Sequence, residues 1–225
     1  MPPAAVRCGR RSADATGLWH SGRFARRRPG SARPYFPTAM ALKSTIHKAT
    51  LQLSDMDRHV YGEHNLTLAL HPSETEERLM MRVLAYALNV PADDLNGTLQ
   101  SARGLSDADE PDLWHKDLSD QIVHWVEVGH PDDRRLAKAC AKADRVSIYA
   151  YASSTPVWWQ GMANKVTRLR NLAVWQIPAD QAQALAARCT RSMQLQISIQ
   201  DGLLYVSDAA GTIEIQPQAL WQGGA

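Results

Sequence analysis

The chain has no phenylalanine beyond residue 36, so Trp and Tyr must supply the aromatic packing of everything that follows. It has only three cysteines, Cys8, Cys140 and Cys189, widely spaced and without a C-x-x-C pair. That excludes a disulfide framework or a zinc knuckle and points to a reduced cytoplasm. No apolar run approaches the ~18 residues a membrane helix needs, and no charged-then-apolar signal opens the chain or follows Met40. A membrane partner is not expected. The eight His show no H-E-x-x-H or comparable spacing, and Ser153 and Ser154 lie in no G-x-S-x-G turn, so zinc proteolysis and serine hydrolysis are unsupported.

Charge is unevenly distributed. Residues 1–39 carry eight Arg, no Lys, five Pro and a single acid, Asp14, a formal +7. Residues 40–225 carry 17 basic and 22 acidic groups, a formal −5, so the net +2 averages two opposite objects. Without apolar periodicity the first segment cannot bury enough surface to offset its chain entropy, and disorder is the expectation. A transit peptide and a nucleic-acid arm compete with translated upstream sequence from a misassigned start, the reading preferred here, with Met40-Ala-Leu-Lys as the working beginning. The organisation expected is therefore an Arg/Pro-rich extension, 1–39, and a single globular domain, 40–225.

Within that domain, residues 42–53 alternate loosely and 65–70 alternate cleanly, suggesting two strands paired across the loop 54–64. Ser73 with Glu76 reads as a capping box, followed by an apolar helical stripe through Leu79, Met80, Val83, Leu84, Ala87 and Leu88. A short strand near 98–102 and a hairpin of 112–114 with 122–128 come next. Pro131, Asp132 and Asp133 open a helix with Leu136, Cys140 and Ala143 on its buried stripe. Residues 145–151 follow as a strand, which the intervening helix makes parallel to its predecessor, with a right-handed crossover. A helix over 155–165, a strand over 171–177, a helix over 179–189 and a hairpin turning at Asp201-Gly202 complete the reading.

The chemistry concentrates at Pro111-Asp112 and, fourteen residues on, Trp125-Val126-Glu127-Val128-Gly129-His130-Pro131. Two carboxylates on adjacent strands, about 5 Å apart, form a natural seat for a divalent cation with a hydrolytic water. Glu127 shares its strand face with Val123 and Trp125, and a charge there is expensive unless paired or ligated. The structural alternative is an ion pair to Arg134 or Arg135. Helix one adds Glu74, Glu76 and Glu77, of which Glu76 and Glu77 both extend the apolar stripe by a turn and could lean toward the two strands; the alternative is that these acids only complement the helix dipole. Arg134, Lys138 and Lys142 share a face of the second helix, as cations overhanging the site or as solvated charges. Asp55-Met56-Asp57 and Asp107-Ala108-Asp109 lack the Gly and Glu of a calcium loop and read as solubilising turns. Trp158-Trp159 reads as core or interface, or as a base-stacking pair.

This order resembles the PD-(D/E)XK nucleases, with Gly129 where those enzymes place Lys. More specifically, Met40-Ala-Leu-Lys with Lys48-Ala49, Asp55-Met56-Asp57-Arg58, His71-Pro72-Ser73-Glu74-Thr75 with Glu77-Arg78, Asp109-Glu110-Pro111-Asp112 with Trp114, Trp125-Val126-Glu127-Val128-Gly129 with Pro131, Arg135, Lys138 and Ala139, and Ile199-Gln200-Asp201-Gly202 are similar to the YaeQ family of small bacterial proteins. The resemblance implies an α+β mixed-sheet fold, a variant of the restriction-endonuclease-like PD-(D/E)XK core with additional β-hairpins. Two functions follow as expectations. In one, a Mg²⁺- or Mn²⁺-dependent phosphodiesterase holds its metal on Glu77, Asp112 and Glu127, with Lys138 or Arg135 steadying charge. In the other, a non-catalytic module binds a nucleic acid or a protein partner.

Overall fold

The computed structural model describes residues 44–103, 107 and 109–223. The expected boundary at residue 40 lies outside them. Among the described residues the fold is mixed α+β with two mixed sheets and four helices.

β1 (Thr45–Asp55) and β2 (Val60–Leu70) form the first hairpin, in register from Thr45 opposite Leu70 to Asp55 opposite Val60. The expected eleven-residue loop is thus only a four-residue turn, in which His59 takes a positive φ of 57°. Alternation along β1 buries Ala49, Leu51 and Leu53 and exposes their neighbours, as a strand with one wet face requires. β8 (Ser192–Gln200) lies parallel to β1, and β9 (Leu203–Asp208) and β10 (Gly211–Ile215) extend the sheet to the order β10-β9-β8-β1-β2. Asp201 and Gly202, with φ of 53° and 74°, make the expected tight turn between β8 and β9.

The second sheet runs β11-β7-β6-β5-β4-β3. Its members are β3 (Thr98–Ser101), β4 (Leu113–Lys116), β5 (Ile122–Val128), β6 (Arg145–Ala150), β7 (Leu172–Gln176) and β11 (Gln218–Gln222). β5, β6 and β7 are parallel, and the flanking strands are antiparallel. The strand-helix-strand reading of β5, α2 (Asp133–Lys142) and β6 holds. α3 (Thr155–Met162) and α4 (Ala179–Ala186) are each shorter than their apolar patterns suggest.

α1 (Glu76–Asn89) buries residues almost all round, from Leu79 through Ala87, against β1, β2, β5 and α4. Leu51, Leu53, Met80, Leu84, Val126 and Leu195 belong to one core with it. On the other face of the second sheet Trp125, Ile148 and Val174 pack with Leu136 and Ala139 of α2 and Met162 of α3. The α1 cap differs from expectation: Thr75, not Ser73, accepts the Arg78 amide, and the Ser73 hydroxyl bonds His71. No helix among the described residues is long and apolar enough to cross a membrane.

Candidate functional site

The start of α1 meets the ends of β4 and β5 through charge. Glu74, just before the helix, receives Arg78 at 3.0 Å and Arg82 at 3.2 Å, and its carboxylate also accepts the His71 amide. Arg78 Nη2 continues to the Asp112 carboxylate at 2.8 Å, and Arg82 Nε stands 3.9 Å from Asp112 Oδ1. Asp112, one residue ahead of β4 and 1% exposed, also accepts the Val128 amide at 2.8 Å. Burial opposes the charge on Arg78, but Asp112 and Glu74 outweigh it and raise its pKa. Two acids and two guanidiniums therefore neutralise one another in a place where any one alone would be costly. Sequence reading missed Arg78 and Arg82 as members of this site. A cation in the middle of Leu79-Met80-Met81-Arg82-Val83-Leu84 is the signal, because it demands an acid nearby.

Glu127 points the other way. Alternation along β5 puts it beside Trp125, whose indole Nε1 donates to it at 3.1 Å, and Arg135 of α2 closes on its other oxygen. Burial raises the Glu127 pKa most, Arg135 and the indole pull it down, and Asp112 adds a further upward push. The ion pair weighed as the structural alternative for Glu127 is the one present, with Arg135. Arg135 also donates to the Glu110 carbonyl, tying α2 to the loop before β4.

The remaining expected residues lie elsewhere. Lys138 is exposed and paired with Asp109, so it is no substitute for a nuclease lysine over the cleft. A Lys in place of Gly129 would also be strained, since φ there is +108°. Glu76 is exposed. Glu77 is half-buried, and with Asp112 and Glu74 it lies within electrostatic reach of the Tyr151 phenol, whose pKa burial chiefly raises. Asp55 and Asp57 are not solubilisers. Asp55 is 1% exposed and holds Arg58, and both oxygens of Asp57 accept the Asp201 and Gly202 amides. Trp158 stacks on His130, with centroids 4.9 Å apart, and its indole donates to the Pro131 carbonyl.

Among the described residues no group of three His, Cys, Asp or Glu is placed to hold a metal ion. Asp112 Oδ1 is buried without a directed hydrogen bond, as a ligand oxygen would be, but Arg78 Nη2 lies 2.8 Å from it and Arg82 Nε, itself without a hydrogen bond, 3.9 Å. A divalent ion there would press against a guanidinium. The donors present do not suit Mg²⁺ or Mn²⁺, because each buried carboxylate is already committed to an arginine.

Arg78, Glu127, Gly129, His130, Arg135 and Tyr151 border a cleft of about 620 Å³ at the carboxyl ends of β5 and β6. Such a place suits ligands in sheets of parallel strands. A model of the YaeQ protein family matches residues 40–217. The chain belongs to the YaeQ family. It is 44% identical over 184 residues to the uncharacterized protein YaeQ of Salmonella typhi, and 42% identical to that of Escherichia coli strain K12, each match covering 81% of this chain and 98% of the relative. The crystal structure of YaeQ from Xanthomonas axonopodis pv. citri superposes with a TM-score of 0.74 at 41% identity, covering 80% of this chain and 99% of that one. The structure from Pseudomonas syringae gives 0.74 at 39%, covering 81% and 98%. These likenesses fix the family and its fold, and the names of these relatives carry no activity.

Proposed function

We propose that this YaeQ-family chain is a non-catalytic variant of the PD-(D/E)XK scaffold, whose cleft binds a protein partner instead of a metal and a phosphodiester. The observation that carries this reading is the commitment of Asp112 to Arg78 and of Glu127 to Arg135. In a metal-dependent nuclease those acids would present free oxygens to the ion. Here the guanidiniums supply the positive charge to both buried acids. A protein is favoured over nucleic acid because residues 40–225 carry a formal −5, and backbone affinity needs unpaired Lys and Arg to neutralise phosphates. Beside the cleft, α3 also presents Val157, 74% exposed, next to the half-buried Trp158 and Trp159.

The deciding experiment titrates Mn²⁺ into the protein calorimetrically and assays DNA, RNA and an activated phosphodiester with Mg²⁺ or Mn²⁺, beside Glu127→Gln. Neither metal uptake nor cleavage is expected, and Glu127→Gln should lose stability by about 1–2 kcal/mol, as when one partner of a partly buried pair is neutralised. Mn²⁺ binding or cleavage that disappears in Glu127→Gln would restore the metal-dependent enzyme. Tight binding of labelled DNA or RNA near physiological salt would move the partner from protein to nucleic acid.

A further inference from the structure

At the opposite end of α1 lies a second cavity, of about 340 Å³, at the low end of the roughly 300–1,000 Å³ typical of small-molecule pockets. Its walls come from the β1–β2 turn, the end of α1, β6, β7 and the β8–β9 hairpin. Trp175, Tyr149, Leu88, Leu204 and Pro217 give it an apolar, partly aromatic lining. Its polar groups are unevenly satisfied. Both acids on its border are spent: Asp55 on the Arg58 amide and guanidinium, and Asp57 on the Asp201 and Gly202 amides.

The two arginines are not equally answered. Arg145 makes no ion pair among the described residues; its guanidinium donates to Nδ1 of His124 at 2.9 Å. His124, 1% exposed, uses its other nitrogen on the Ser147 hydroxyl at 2.8 Å. The imidazole is thereby fixed as the Nε2–H tautomer, a neutral acceptor that orients Arg145 without cancelling its charge. Burial lowers the Arg145 pKa most, Tyr149 works against that, and Arg58 adds a smaller downward push. Asp55 answers Arg58, so Arg145 is the guanidinium left without a carboxylate among the described residues. The Tyr149 phenol, buried in the same wall, accepts from Asn89 at 2.9 Å, and among the described residues nothing accepts its own hydrogen.

We propose that this cavity binds a small organic anion with an apolar, ring-sized body, whose carboxylate or phosphate pairs with Arg145 and accepts from the Tyr149 hydroxyl while the body lies against Trp175 and Leu204. The site is separate from the cleft at Glu127 and does not depend on the function proposed for that cleft. Guanidinium pairing with an oxyanion beside a desolvated hydroxyl is a strong, oriented contact, and the aromatic wall supplies the affinity that a rim charge alone does not.

The test titrates the full chain with indole-3-acetate, phenyl phosphate and, as a neutral control, indole-3-acetamide, following heat by calorimetry and the Trp175 indole cross-peak by NMR. At least one anion should bind in the millimolar range or tighter, shift the Trp175 signal, and exceed the amide at least tenfold; which anion wins identifies the head group. Arg145→Gln should weaken that binding at least tenfold, and Leu204→Trp should abolish it by filling the space, while Glu127→Gln leaves it unchanged. Should either cavity variant fail to melt cooperatively, the anion-versus-amide ratio and the Trp175 shift of the unaltered protein decide. No binding by either anion, equal binding of the amide, or an anion affinity indifferent to folded Arg145→Gln would overturn the proposal.

Discussion

The two ends of α1 solve the same problem in different ways. At its start, Arg78 and Arg82 are matched by Glu74 and Asp112, so buried cations meet buried anions and the charge closes on itself. At its end, Arg58 donates to the Ala87 and Val90 carbonyls as well as to Asp55, while Arg145 rests on a neutral imidazole. Cations at a helix C-terminus suit the dipole and need no full complement of acids. The matched end therefore behaves as a structural clamp between α1 and the second sheet, and the under-matched end leaves one guanidinium, Arg145, without a carboxylate partner among the described residues. Inference of function from buried charge depends on that difference, since an arginine beside its carboxylate argues for architecture and an arginine beside a neutral acceptor argues for a ligand.

The sharpest way to break this comparison is to unbalance the matched end. Asp112→Ala removes the acid on which Arg78 converges and leaves its guanidinium facing Glu74 alone, with the Val128 amide also losing its acceptor. The expected loss is about 3–5 kcal/mol, the usual cost of stranding a buried charge, read from urea unfolding with an unchanged m-value. A loss below about 1 kcal/mol would mean that the network is ornamental and that Asp112 is held in place for chemistry.

How far this arrangement could be read from sequence depends on distance along the chain. The β5-α2-β6 unit was legible because its period, its Pro131 start and its β-branched strand are local signals, and Asp201-Gly202 named its own turn. The parallel pairing of β1 with β8, Leu51 opposite Leu195, joins segments with no local mark of one another, so the division into two sheets was not foreseen. Nor were β10 and β11. At the site, the burial argument rightly demanded a partner for Glu127, and Arg135 was among the alternatives. At helix one the family resemblance points to Glu74 or Glu77, and it is Glu74, just ahead of the helix, that meets the arginines. Its carboxylate is drawn to Arg78 and Arg82, and the cap falls to Thr75. A stripe drawn through Glu77 follows helix geometry, but it cannot say which arginines the facing sheet supplies.

The under-matched end makes a pH prediction of intermediate size. Burial, then the charges of Arg145 and His115, lower the His124 pKa from 6.5 to about 3. Because the folded pKa lies below the unfolded one, the neutral imidazole contributes stability that is complete above about pH 6.5 and is lost as pH falls toward the folded value. Between pH 6.5 and 5 the loss should be about 2 kcal/mol, at 1.36 kcal/mol per pH unit. Unfolding free energies of wild type and His124→Asn across that range should therefore have different slopes, the variant being flatter by about that amount whatever its absolute stability. Equal slopes would show that His124 accepts a proton in the fold, and Arg145 would then face a cation.

The smallest effect belongs to a pair that lies at neither end. Lys138 and Asp109 meet at the surface, with side chains 44% and 68% exposed. Water and salt screen such a pair, and holding two long side chains together offsets much of its attraction, so Lys138→Ala should change stability by no more than about 0.5 kcal/mol. The same substitution should leave Mn²⁺ titrations and any cleavage background unaltered, because the ammonium is occupied outside the cleft. A Lys138→Ala variant that loses a metal-dependent activity retained by Arg134→Ala would place the lysine over Glu127 in the working protein. The Lys138–Asp109 pair would then be a resting position, and the matched end of α1 would have to open for chemistry.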